Sequence, residues 1–196
     1  MIRPLPFIAL ALLAAPVLAQ QQNGGFSALK GHNSNAPIDI SSDHIEVQDR
    51  ADRAIWTGNV HAVQGDMTMD AQRMTVAYTH ATQPGQDPQI QRIDASGGVT
   101  VVSPTERAKG SFGIYDLNRK LITLIGNVSL IRGTNTVNGA RLVIDMNSGR
   151  ATVDGNSVGG GLSPANGGRV TGHFTVPKRA QAATPAPPAN GAAPPK

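Results

Sequence analysis

The sequence predicts an all-β protein, a twisted open β-jellyroll built from repeats of about 29 residues. Three observations carry this prediction. Apolar residues alternate with period two, a Gly-led unit recurs, and no stretch beyond residue 19 has helical periodicity. The unit Gly58–Tyr78 returns without a gap 39 residues later as Gly97–Leu117, and 29 residues after that as Gly126–Met146. Gly58, Gly97 and Gly126 coincide, as do Val60, Val99 and Val128. Gly65, Thr68 and Arg73 of the first copy match Gly133, Thr136 and Arg141 of the third. The ten extra residues between the first two copies fall near His80–Gln89, which is loop-like by composition. Ser41–Asp49 resembles a half copy at the start, and Gly155-Asn156 restores the Gly-Asn pair at the end.

Each element follows from the alternation. Side chains two apart on a strand share a face. That parity points Ile38, Ile40, Trp56, Val60, Met74 and Val76 inward. Around the second copy it selects Val99, Val101, Tyr115 and Leu117, and around the third Leu124, Val128, Leu130, Leu142 and Ile144. The Gly opening each copy predicts a bend or bulge that wraps a strand around a curved sheet. A single unit cannot bury its apolar face alone, so stacking is expected to form one continuous interior. Two or three strands per unit point to a coiled sandwich rather than a hairpin meander.

The flanks read differently. Residues 1–19 have the form of a cleaved signal peptide: Arg3, the apolar run Phe7–Leu13, and small residues at Val17-Leu18-Ala19. Export to the periplasm is the expectation. Residues 20–35 read as a flexible lead-in and 36–155 as the jellyroll. Residues 156–169 form a Gly-rich loop, 170–179 a last strand, and 180–196 a disordered Pro/Ala-rich tail. Phe174 in the last strand is bulky enough to plug the mouth at that end or to dock on a partner.

Composition removes several functions. With no Cys, disulfides, thiol nucleophiles and thiolate metal sites are excluded. The formal charge of +4 comes from the flanks. Residues 36–176 hold 12 Lys+Arg against 13 Asp+Glu, a net of −1, which does not support nucleic-acid binding. The five His lack metal-site spacing and read as solvent-exposed, and no Ser sits in a nucleophile elbow. Asp116 and Asp145 fill one repeat position, as turn residues do. No enzyme, metal or cofactor is expected. Composition alone favours an ordinary packed core, although its Met-rich lining (Met67, Met69, Met74, Met146) suits an adaptable apolar surface.

Six strings in order carry a resemblance: Pro37–Asp43, Trp56–Val60, Gln64–Asp66, Ala71–Arg73, Ile93–Val99 and Leu124–Val128. They resemble the OstA-like domain of periplasmic lipopolysaccharide transport proteins. The likeness covers about Ala36–Gly155. It departs from the family pattern at Ser96-Gly97-Gly98 and in everything after Gly155. The resemblance implies a bridge between inner and outer membranes, with the acyl chains of lipid A held in a groove lined by the fifteen inward residues named above. It also implies head-to-tail self-association between LptC-type inner-membrane and LptD-type outer-membrane partners. Two other readings stay open: an LptC-like partner with the same domain, and a repeat-built scaffold that binds no lipid.

Overall fold

The period-two alternation becomes one antiparallel sheet of ten strands in the computed structural model, which describes residues 29, 31–80, 87–156 and 168–176. The strands are β1 (Ile38–Ser41), β2 (His44–Gln48), β3 (Arg53–Gln64), β4 (Met67–Thr79) and β5 (Gln89–Val102). They continue as β6 (Arg107–Asp116), β7 (Leu121–Arg132), β8 (Asn135–Asp145), β9 (Arg150–Asp154) and β10 (Thr171–His173). The one helical element among the described residues is a short 3-10 turn at Asp49–Ala51. The expected signal peptide and Pro/Ala-rich tail lie outside the described residues, as does nearly all of the Gly-rich loop.

From β3 to β8 every strand pairs with the next in sequence. The connectivity is therefore a hairpin meander, which corrects the expected sandwich order. Two layers arise because each strand is bent in the middle. On β3 the ladder jumps from Thr57↔Arg73 to Val60↔Ala71, one residue more on β3 than on β4. The same bulge recurs on β5 between Ser96 and Val99, and on β7 between Ile125 and Val128. At each bulge two successive residues hold positive φ: Gly58-Asn59, Gly97-Gly98 and Gly126-Asn127. Gly and Asn are the residues that reach this region at least cost. The repeat's Gly-Asn signature is thus the crease of the fold.

The crease divides the sheet into two limbs. Limb 1 contains β1, β10 and the segments Val60–Gln64, Met67–Ala71, Val99–Val102, Arg107–Gly110, Val128–Arg132 and Asn135–Gly139. Limb 2 contains β2, β9 and the complementary halves of β3 to β8. β1 and β2 together form one bent edge rung on β3, creased where Asp43 N–H donates to Gly58 O at 2.9 Å. β9 and β10 form the opposite edge rung on β8. Among the described residues the two edges do not pair, so the jellyroll is open.

The limbs face each other across the core. Eleven of the fifteen predicted inward residues are buried, including Met74, Leu124 and Leu142 at 0% exposure. Ile38, Ile40, Trp56 and Leu117 are partly buried and pack against that cluster. Fully burying one such side chain contributes about 1.5–3 kcal/mol, so this interior dominates the fold's stability.

Three further expectations need correction. The lead-in is anchored where described: Leu29 is buried in the core and the His32 side chain is 1% exposed. His32 consequently departs from the solvent-exposed reading, because two polar neighbours can satisfy its ring. The last strand is shorter than 170–179, with three exposed residues paired to β8. Past His173 the ladder stops, and Phe174 packs over Gly172 at 55% exposure.

Candidate functional site: an apolar slot between the limbs

The slot is built by inward parity on both limbs. Limb 1 supplies Ile38, Val60, Met67, Met69, Val99, Val101, Val128 and Leu130. Limb 2 supplies Trp56, Met74, Val76, Ile93, Tyr115, Leu124, Leu142 and Ile144. Its width varies along the stack. Where Ile38, Ala62, Gln64, Met67 and Met69 of limb 1 meet Ile93 and Tyr115 of limb 2, a residual space of only about 10 Å³ remains. That holds at most one water. At the β2 end the interior opens to solvent as a concavity of about 450 Å³, lined by Ile45, Val47, Ala54, Trp56, Val76, Tyr78, Pro88 and Ile90 together with Asp49 and His80. Its size is that of a small-molecule pocket. Ile45 and Val47 are 49% and 59% exposed, an apolar edge that β2 presents to water.

A polar network crosses this interior. The Tyr115 hydroxyl on limb 2 donates to Gln64 Oε1 on limb 1 at 2.8 Å. Burial pushes the Tyr115 phenol up to about 12, so it stays a neutral donor. Gln64 Nε2 donates to the carbonyls of Ser34 and Ala36 at 3.0 and 2.9 Å. His32 Nε2 lies 3.3 Å from Gln64 Oε1, and its Nδ1 lies 2.8 Å from Asp66 Oδ1. Further along the rim, Leu29 N–H donates to Glu106 Oε2 at 3.0 Å. Glu106 Oε1 sits 3.7 Å from Arg132 Nε and makes no hydrogen bond among the described residues. Burial raises the Glu106 carboxyl above its ordinary value, against the opposing effects of Leu29 N–H and Arg132.

Sequence reasoning missed Gln64, Glu106, His32 and Leu29. Parity was the available signal for the first two, since Gln64 follows Ala62 and Glu106 precedes Ala108 on the inward face. Nothing local marks His32 or Leu29, whose partners lie 32 and 77 residues away. On the outer face Arg73 is exposed, and Arg141 lines a cleft with Arg92 and Arg119.

The bent rungs and the apolar interior agree with the comparisons to known proteins. A family profile described as LptA/(LptD N-terminal domain) LPS transport protein matches residues 39–150. The chain belongs to this family. An uncharacterised protein of Rhizobium meliloti (strain 1021) is 37% identical over 149 residues, covering 74% of this chain and 78% of that one. LptD proteins, titled LPS-assembly proteins, match over a shorter stretch. That of Yersinia enterocolitica is 32% identical over 90 residues, and that of Escherichia coli K12 is 30% identical over 92. These matches span 11% of the LptD length and somewhat under half of this chain. The fold is that of LptH from Pseudomonas aeruginosa, described as the LptA homologous periplasmic component of the lipopolysaccharide transport device. The TM-score is 0.63 at 18% identity, over 74% of this chain and 99% of that one. Among the described residues no helix is long and apolar enough to cross a membrane. The OstA-like resemblance and the jellyroll expectation therefore hold at the level of family and fold.

Proposed function

We propose that this family member carries lipopolysaccharide through the periplasm by taking the acyl chains of lipid A between its limbs while the sugars stay in water. The observation that carries the reading is an apolar interior continuous with a solvent-open concavity of about 450 Å³ at one end of the stack. An unfilled apolar mouth of this size is a standing cost unless something covers it. Each methylene of an acyl chain buried there contributes about 0.8 kcal/mol. Several chains held together supply ample affinity without any charged contact.

The open edges support the second half of the reading. Unpaired edge strands accept further strands. In this proposal the β1/β2 rung of one copy continues the sheet from the β9/β10 rung of the next, and LptC-type and LptD-type proteins end the series at the two membranes. Head-to-tail contacts of this kind do not close into rings.

Photo-crosslinking tests the slot. A crosslinker at Trp56 or Val76, on the inner face, is expected to capture lipopolysaccharide, and one at Arg73 or Arg141, on the outer face, is not. Equal capture from both faces would remove the slot from consideration.

A further inference from the structure

Between the open mouth and the narrow part of the slot stands one buried pair. Ile93 lies beside Val76 of the mouth on one side and beside Tyr115 on the other. A chain advancing inward past Ile93 therefore meets the Tyr115 ring, whose hydroxyl is tied to Gln64 on the opposite limb. Gln64 is itself 3% exposed and fully employed: its amide oxygen accepts from Tyr115, and its nitrogen holds the Ser34 and Ala36 carbonyls. The segment it holds runs along the rim of limb 1. His32 fixes that segment to the β3–β4 turn through Asp66, and Leu29 fixes it to the β5–β6 turn through Glu106, with the Leu29 side chain buried in the core. Lining, latch and rim segment thus share a single amide group.

Resting on the lipid reading of the slot, we propose that Tyr115 and Gln64 are a latch coupling the slot to the rim segment, so that an acyl chain entering past Ile93 displaces Tyr115 from Gln64 and releases Leu29 and residues 31–36. Tyr115 acts here as a positioning residue that sets how far a chain penetrates before the latch must open. Leu29 serves as an internal substitute for ligand, covering apolar surface until a chain arrives. Losing the Tyr115 donor at 2.8 Å leaves Gln64 Oε1 with only the longer His32 Nε2 contact at 3.3 Å among the described residues, and weakens the closed form. The closed form competes with ligand, so weakening it strengthens ligand binding.

Hydrogen exchange on the full chain tests this, with a long-chain fluorescent fatty acid and with purified lipid A as probes. Tyr115→Phe keeps the ring and removes only the hydroxyl; Gln64→Met breaks the latch from the other limb. Amides of residues 31–36 are expected to exchange about fivefold faster in both variants without ligand, while strand amides of β7 stay protected. In the unsubstituted protein, saturating lipid A is expected to produce the same acceleration, and Tyr115→Phe to bind the fatty acid several-fold more tightly. Binding of both probes with unchanged exchange at 31–36 would overturn the latch and leave the slot standing. Failure of either probe to bind, with exchange still faster in the variants, would overturn release by acyl chains together with the lipid reading.

Discussion

At the residue scale, two kinds of position carry unusual burdens. Glu106 is a buried carboxyl whose charged form is penalised by burial. Its folded-state affinity for protons exceeds that of the unfolded chain, whose carboxyl titrates near 4.5. The stability this group contributes is therefore complete below that value and declines as pH rises through the folded one. The melting temperature of the unsubstituted protein minus that of Glu106→Gln should grow as pH is lowered from neutral toward 4.5. A flat difference would show that Arg132 and Leu29 offset the burial in full. The crease glycines differ from one another. A Cβ on Gly97 would lie 2.6 Å from Gln72 Cβ, whereas one on Gly98 meets nothing within 4 Å. Gly98 also occupies the place of Asn59 and Asn127, which tolerate positive φ. Gly98→Asn should change stability by less than about 1 kcal/mol, and Gly97→Asn should cost about 2 kcal/mol or more from strain plus overpacking. Denaturant titration of both variants distinguishes them.

At the element scale, the unit is the bent rung. β10 covers only Thr136–Asn138 of β8, and its three residues are exposed. Truncation after Asn156 removes β10, whose three residues are exposed, and uncovers that ladder. The melting temperature should fall by only a few degrees, while light scattering should show stronger concentration-dependent association. A large loss of stability would instead place the last segment in the core. The rungs were legible in sequence because parity and repeat offset are local properties. The fifteen inward residues and the crease at each Gly follow from counting alone. The layer order did not, because a strand bent at a bulge and two separate strands leave the same alternation. The anchored rim was equally hidden. Its sequence, Leu29–Asn35, is polar and short, and its order comes from Gln64 and Glu106, which are far away in the chain. His61 and His80 did behave as ordinary surface groups, pairing with Asp70 and Asp52.

At the scale of the whole molecule, every rung contacts only its neighbours along the meander, plus the limb opposite. Such quasi-one-dimensional stacks tolerate changes in repeat number. Deleting residues 97–125 joins Ser96 to Gly126 and restores a Ser-Gly crease, with Ile144 falling where Tyr115 stood. This shorter chain should keep an all-β circular dichroism spectrum and unfold cooperatively at lower temperature. It also lacks Glu106 and Tyr115, so Leu29 and residues 31–36 should lose protection in it. Loss of cooperative unfolding would mean that the copies are not interchangeable. The open stack has one more consequence, which is metric. Its axis runs across the strands, and successive rungs are spaced about 4.8 Å apart, so the eight rungs of the strand path make a body roughly 40 Å long. Hydrogen-bonded ladders neither stretch nor compress by much. Copies joined edge to edge would therefore lengthen an array in equal steps of that size, making it a ruler graduated in molecules, whose span is adjusted by number and never by strain.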